Sequence, residues 1–566
     1  MEQKQKTEPL ARLRKRFGRL KEARREWEPV WRDCYAHALP LRSGFATTAA
    51  RTADPLFDGT APDAVDQLAA SLLAELTPPW SRWFNLTAGA DLPPDEAAAA
   101  GPVLEDIGAA LQGHFDRSNF LVEMHQCYLD LVTGGTAALL FEESAPGGAS
   151  AFRFRALPLP EVWLDEGETG RLETVFRRTA LPLENFVRRF PDAPLTPDEA
   201  QARTRGDDRR IAVVEATRRE DGTVRYTAFR EEPAEARSAD TGAADAGSAA
   251  GTATATATGA AGRDIAEKPL AAGAFADHPV IAFRWMKAPG EAWGRSPVMK
   301  ALPDIRTANK VVELVLKNAS IAVTGMWQAD DDGVINPANI KLSPGVVIPK
   351  AVGSEGLKPL GAPGRFDVSE LVLNDLRQRI RRALLVDKLG QADSPKMTAT
   401  EVLERKAEMA RLLGATFGRL QSELLAPLID RGLAILSRRR EIPPVRIDGR
   451  TIALSYASPL AREQMHRDIE TVAGWAELVA RLGPAGLAAV DAPRAARWAG
   501  RALGVPSALI TPEPDAALAA PASATGAAAA PAPGPQAPGP QANADAGAAL
   551  LQSLSALGAA AGGGSA

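Results

Sequence analysis

The stretch Leu302–Val323, LPDIRTANKVVELVLKNASIAV, decides how the rest of the chain is read. Ile305, Ala308, Val312, Val315, Leu316 and Ala319 recur at helical spacing, and Pro303 fits a first helical turn, where its missing donor costs nothing. A partner helix is expected from about Val368 to Asp387, with Leu373, Leu376, Ile380 and Leu384 along one face. Asp367 and Glu370 stand at capping-box spacing ahead of it, with Asp in place of the usual Ser or Thr. Each helix has roughly 20 residues and so a length of about 30 Å. Between them the chain is rich in Gly, Pro and Asp, with short strand-like pieces such as Gly345-Val346-Val347-Ile348-Pro349. Two helices of matched length around a small strand module read as a hairpin projecting from a body.

Outward from that hairpin, Gly390–Met397 (GQADSPKM) reads as a loop, and Thr398 with Glu401 forms a capping box that starts a helix running to Arg440. Val402, Met409, Leu413, Phe417, Leu420, Leu424 and Leu428 form its apolar stripe, and Pro427 should kink it. Toward the N-terminus, residues 10–31 read as an amphipathic helix with Leu10, Leu13, Phe17, Leu20, Trp27 and Trp31 on one face and a basic face from Arg12 to Arg25. That face is either solvated or a surface for nucleic acid or a partner. Residues 62–76 and 101–133 are also helical by period, and Trp80–Leu86 reads as a buried aromatic strand or turn. From 151 to 230 the period changes to two, giving strands at Phe152–Arg155, Val162–Leu164, Thr174–Phe176, Ile211–Ala216 and Val224–Phe229. Helical spacing returns at 460–500. Residues 232–266 and 513–566 are low-complexity Ala/Gly/Thr and Ala/Pro/Gly/Gln tracts that cannot bury enough apolar surface to offset ordering, so disorder is expected.

The fold class is therefore α+β, mainly helical. The 566 residues carry 66 Lys and Arg against 70 Asp and Glu, a net charge of −4, with five His and two Cys. So few ligand-type residues argue against a Cys/His zinc site, an iron–sulfur cluster or a disulfide framework. The N-terminus has no apolar leader core, and no apolar run is long enough for a transmembrane helix, so a soluble intracellular protein is expected. There is no G-x-x-x-x-G-K-[ST], H-E-x-x-H or G-x-S-x-G, and no nucleophile–base pair is apparent. Asp330-Asp331-Asp332-Gly333 resembles part of a calcium loop, but the alignment puts Gln328 and Asn339 where carboxylates are required. No cofactor is expected.

Several motifs then line up in order: Leu56-Phe57-Asp58-Gly59-Thr60, Leu76-Thr77-Pro78-Pro79, Trp83-Phe84-Asn85-Leu86, Arg284-Trp285, Glu291-Ala292-Trp293-Gly294-Arg295-Ser296-Pro297, Ala301-Leu302-Pro303-Asp304-Ile305, Met397–Val402 and Glu423–Ile429. Each is weak alone. As an ordered set, over roughly residues 10–510, they resemble the portal, or head-to-tail connector, proteins of short-tailed tailed phages.

The resemblance implies a portal-type protomer in a ring, typically of twelve copies, at one capsid vertex of the virion, assembled in the host bacterial cytoplasm. It implies a channel for DNA packaging and ejection, docking of the large terminase and then of tail adaptor proteins, contacts with major capsid and scaffold proteins, no membrane and no catalysis. Mapped onto this chain, 1–39 is the N-terminal basic helix and 40–290 the α+β wing. Residues 291–323 and 367–389 are the stem helices, and 324–366 the small β-containing clip. The tunnel loop is 390–397, the long kinked helix 398–440, the crown-side helical region 441–512 and the tail 513–566.

Near-neutral charge suits double-stranded DNA that passes through without sequence-specific retention, because phosphate neutralisation dominates DNA affinity. On this reading Lys388, Gln391 and Lys396 would touch DNA in the channel. Arg377, Arg381 and Arg382 would line the stem or pair with neighbouring subunits, the latter preferred. Trp327, Asp330, Asp331 and Asp332 would belong to the clip's partner surface. The competing readings are another virion structural or scaffold protein without a channel, a DNA hydrolase, and a nucleic-acid binder acting through residues 12–25.

Overall fold

The computed structural model describes residues 2–40, 56–231, 268–328, 358–360, 366–386 and 414–510, less single positions and short stretches inside those spans. It is a mixture of helix and antiparallel sheet. At the N-terminus are α1 (Glu2–Arg24) and α2 (Glu28–Ala38), two helices where the periodicity suggested one. Pro29 marks the restart: it sits in the first turn of α2, where its missing amide proton costs nothing, and residues 25–27 form the turn between the two helices.

The main core is built by α3 (Thr60–Leu76), α4 (Pro94–Asp116) and α5 (Phe120–Gly134), packed with a sheet of order β3-β2-β9. Its strands are β2 (Thr136–Glu143), β3 (Phe152–Leu157) and β9 (Val280–Arg284). Phe141 faces Phe154 across β2 and β3, and Phe115, Phe120 and Phe152 join them in one aromatic cluster. Inside the same core lie Trp83 and Phe84, which lead into β1 (Phe84–Ala88). That strand pairs antiparallel with β12 (Ile452–Tyr456) from far down the chain.

A second sheet, of order β4-β5-β6-β7-β8, is antiparallel throughout: β4 (Val162–Glu166), β5 (Leu172–Pro182), β6 (Arg210–Glu220), β7 (Thr223–Arg230) and β8 (Ala271–Phe275). The α1 residues Leu10, Leu13 and Phe17 pack on Trp163, Phe176, Val214, Ala216 and Phe229 of this sheet. Two short helices, α6 (Leu183–Arg189) and α7 (Pro197–Arg205), pack against Ile211, Val213 and Ala228. The α1 basic face is thus partly committed to the sheet: Arg16 pairs with Asp165 and Lys21 with Glu231, and Arg24 is buried.

The hairpin is present. Its first helix, α8, spans Pro297–Thr324, and its second, α9, spans Phe366–Ala383. The first begins six residues before Pro303, because Ser296 caps it and Pro297 takes the first helical position. Only a short antiparallel pair is described between the helices, β10 (Met326–Gln328) with β11 (Lys358–Leu360). Residues 345–349 and the tracts 232–266 and 513–566 lie outside the described residues.

Of the long helix, the described part starts beyond residue 413 and holds a π-turn at Gln421–Leu425 directly before α10 (Ala426–Arg438). The Ala426 amide bonds back to the Gln421 carbonyl. This wider turn precedes Pro427, which has no amide proton to give, so the expected proline distortion takes the form of a π-turn. The last helices among the described residues are α11 (Pro459–Arg481) and α12 (Ala492–Leu503), which pack on each other.

Candidate functional site

The hairpin is fastened at its base by residues from distant parts of the chain. Phe57-Asp58-Gly59-Thr60 runs across both of its helices. The backbone amides of Phe57 and Asp58 donate to Asn309 Oδ1 on α8, at 2.7 and 3.1 Å. Asp58 Oδ1 accepts the Thr60 amide at 3.0 Å at the start of α3, and Oδ2 accepts Arg377 Nε from α9 at 2.9 Å. Burial opposes ionisation of Asp58, but the Thr60 hydrogen bonds and the Arg377 guanidinium outweigh it and hold the carboxyl below its usual range. Along the helices, Arg379 Nη2 meets Asp304 Oδ1 at 3.0 Å.

The start of α8 is seated just as closely. Ser296 Oγ donates to the Thr133 carbonyl at 2.8 Å while accepting the Met299 amide at 2.9 Å. Gly294 donates to Thr136 Oγ1 at 2.8 Å. Gly294 and Gly135 touch backbone to backbone: a Cβ on Gly294 would stand 2.0 Å from the Gly135 carbonyl oxygen, and Gly135 itself has φ +78°. Only glycine satisfies both demands at Gly135. Trp31 Nε1 donates to the Gly134 carbonyl at 3.0 Å. Trp31, Trp163 and Trp293 surround the Arg24 guanidinium, which lies 4.3 Å from the Trp163 ring centre and donates to the Val162 carbonyl at 2.6 Å. Burial lowers the Arg24 pKa to about 10, against the opposing pull of Glu28.

Behind the hairpin lies a buried ionic hub. Arg284, at the end of β9, is 0% exposed. Its Nη2 donates to Glu423 Oε1 at 2.6 Å and to the Gly170 carbonyl at 3.1 Å, and Nη1 donates to the Ala292 carbonyl at 3.1 Å. Its backbone amide donates to Glu423 Oε2 at 3.0 Å. Arg419 adds a contact to Glu423 at 3.2 Å, and Glu166 lies 3.8 Å from Arg284 while pairing with Lys287. Glu423 sits inside the π-turn, so the hub ties the long helix to both sheets. Nearby, Arg431 donates to the Phe141 and Asp277 carbonyls at 2.7 and 2.8 Å, and burial lowers its pKa to about 10.

The two hairpin helices leave the body along their length. On α8, Val298, Ala301, Leu302, Ile305 and Ala308 are buried, whereas no residue from Asn309 to Ser320 is. On α9, Leu376 and Ile380 are buried, followed just beyond its end by Leu384. Leu314, Leu316, Leu371 and Val372 are exposed, Leu371 by 74%. A shallow groove of about 810 Å³ beside α9 is lined by Leu371, Val372, Asn374, Asp375, Gln378 and Arg381, among others.

Of the residues singled out from the sequence, Arg377 gives its guanidinium to Asp58 of the same chain, and Arg381 and Arg382 are exposed on α9. Trp327 falls within the backbone-defined pair β10–β11. Lys388, Gln391, Lys396, Asp330, Asp331 and Asp332 lie outside the described residues. Asp58, Asn309, Arg284 and Glu423, which organise the hairpin base and the hub, were not singled out individually, although three of the four lie in the quoted motifs. Among the described residues, no three His, Cys, Asp or Glu side chains are grouped to hold a metal ion, and no helix is long and apolar enough to cross a membrane.

Comparison with known proteins follows the same residues. The family model described as bacteriophage head to tail connecting protein matches residues 10–510. The chain is 24% identical over 533 residues to the probable portal protein of Bordetella phage BPP-1, covering 89% of each chain. It is 25% identical over 532 residues to the portal protein of Salmonella phage epsilon15, again covering 89% of each. Among solved structures, a chain from the neck of the native gene transfer agent particle, computed with C12 symmetry, aligns at 13% identity over 73% of this chain and 87% of that one, with a TM-score of 0.30.

Proposed function

The chain belongs to the bacteriophage head to tail connecting proteins, and from that premise we propose how this portal protein works. Copies of it assemble as a ring, twelve in the family's usual form, at the unique vertex of the capsid. The α8–α9 hairpin is the stem, and the chain between its helices is the clip that meets first the large terminase and then tail adaptor proteins. Capsid and scaffold proteins contact the outer body. Double-stranded DNA passes along the axis during packaging and ejection. The protein is a virion component without catalysis of its own.

The observation that carries this reading is the distal half of the hairpin. It presents Leu314, Leu316, Leu371 and Val372 to solvent in the isolated chain, with a groove lined by the last two. Large apolar side chains exposed on a projecting helical pair favour association, and a head-to-tail contact between like chains closes into a ring when the rotation permits. The ion pair Arg377–Asp58 supports a stem whose base is held within each subunit, while exposed Arg381 and Arg382 remain available to neighbours. Lys388, Gln391 and Lys396 are assigned to the channel, where transient phosphate contacts suit DNA that must keep moving.

Negative-stain microscopy of the purified full-length protein tests the reading. Discrete rings with a central hole are expected. Monodisperse single chains, or shells and sheets without an axial opening, would refute it. Intrinsic ATPase or nuclease activity in the same preparation would refute the claim that the ring has no catalysis.

A further inference from the structure

Away from the hairpin, α11 carries a second uncovered apolar face. Trp475 and Leu478, with Leu482 in the turn just past the helix end, are 47%, 61% and 71% exposed, while Ala476 and Val479 on the adjoining face are buried. With Thr471 they are spaced four, three and four residues apart, which aligns them as one stripe. That alternation is the pattern a second helix fills. The helix therefore packs on the body and on α12 by one face and leaves a seam about three turns long open on another.

We infer that this seam is the docking site for a segment of the same chain, Leu550–Leu557 (LLQSLSAL), which lies outside the described residues. Leu550, Leu551, Leu554 and Leu557 fall on one helical face, Gln552, Ser553 and Ser555 fall elsewhere, and Gly558 supplies a stop. In residues 513–566 the only other large apolar side chain is Leu518, so the tail concentrates its apolar content in this one place. From Ala546 to Ala566 the chain bears no charged side chain, and the seam residues are equally uncharged. The match is apolar surface to apolar surface.

Reach is no obstacle. The chain beyond α12 turns back on it, with the Val505 amide bonded to the Gly500 carbonyl and Ile510 beside Gly500, and α12 packs against α11. Residues 511–549 are rich in Pro, Ala and Gly; as a coil they would have a root-mean-square span of about 35 Å, against about 17 Å for the seam itself. A helix of eight residues is unstable alone in water. The segment would therefore fold on the seam rather than beforehand, and the low-complexity tail becomes a tether with a functional end.

Hydrogen–deuterium exchange on the full-length protein decides the matter. The triple substitution L550S/L554S/L557S is expected to speed exchange over residues 471–482 by about tenfold, a docking contribution of about 1.4 kcal/mol. Reciprocally, L478S/L482S is expected to abolish protection over 550–557. All five replaced residues lie either on an exposed face or in the tail, so the melting temperature of the body serves as the folding control. Equal exchange over 471–482 in parent and triple variant would overturn the inference, as would unprotected exchange of 550–557 in the parent. Protection of 471–482 that is lost on dilution but indifferent to the leucine substitutions would assign the seam to a second copy, and would equally overturn it.

Discussion

Glu423→Ala is the sharpest test of the buried hub. Arg284 is 0% exposed and its partner Glu423 10%, so solvent screens neither charge. Truncating the glutamate removes the 2.6 Å ion pair from Arg284 Nη2 and the 3.0 Å acceptor of the Arg284 amide. The guanidinium keeps its bonds to the Gly170 and Ala292 carbonyls, but neither neutralises it. Removing one partner of a buried pair costs about 3–5 kcal/mol. Glu166, 3.8 Å away and already paired with Lys287, is a partial substitute, which favours the lower end. Against a net stability of about 5–15 kcal/mol, even that is a fifth of the total or more. The double variant R284M/E423L removes both charges and fills the space, and is expected to recover most of the loss, because apolar replacement of a whole buried pair is commonly neutral. Urea unfolding followed by tryptophan fluorescence reads both variants. A Glu423→Ala transition within about 0.5 kcal/mol of the parent, or a double variant weaker than the single, would refute the reasoning.

Four further outcomes are expected. Asn309→Ala strands the amides of Phe57 and Asp58 and should cost about 1–3 kcal/mol, read as faster deuterium exchange confined to the hairpin base; unchanged exchange there would count against the clasp. Gly294→Ala places a Cβ 2.0 Å from the Gly135 oxygen and should abolish soluble protein, so a soluble variant with the parent melting temperature would contradict the close approach. Burial holds the His278 pKa down to about 4, and its ring accepts the Val280 amide while the other nitrogen donates to the Thr217 carbonyl, the arrangement of a neutral imidazole. The unfolded state therefore binds more protons between pH 6.5 and about 4, and stability should fall as pH drops through that window; His278→Asn should flatten this component of the profile. Replacing Lys388 and Lys396 together by Ala should reduce DNA packaged per particle in a phage assay, and normal packaging would remove these lysines from the channel.

Much of the architecture was legible because periodicity is a local property. The hairpin helices, the strands of the second sheet and the distortion at Pro427 all follow from spacing and backbone chemistry within a few residues. The errors were local too. Pro303 mimicked a helix start because Ser296-Pro297, six residues earlier, carries the same signal. The turn at residues 25–27 divides α1 from α2 without disturbing the apolar repeat that suggested one helix. What spacing could not reveal is which segments meet. The residues of the hairpin clasp and of the hub sit 319 and 139 positions apart, and nothing in either neighbourhood names the other. The basic face of α1 misled for a related reason. Long cationic side chains can lie over apolar surface or turn inward to carboxylates, as Arg24, Arg16 and Lys21 do, and their spacing alone reads as solvated.

The pairing of β1 with β12 also imposes a timetable. During synthesis Phe84–Ala88 leaves the ribosome about 370 residues before Tyr456 does, which at 5–20 residues per second is roughly twenty seconds to over a minute. Throughout that interval Phe84–Ala88 lacks the strand that completes its hydrogen bonds, beside an aromatic core able to form early. The Arg24 cage likewise waits for Trp293. A nascent chain with an open strand edge is exposed to pairing with its neighbours on the same message before it can pair with itself. Slow, uncrowded translation, or a chaperone that shields the first ninety residues, should therefore raise the yield of natively folded chains.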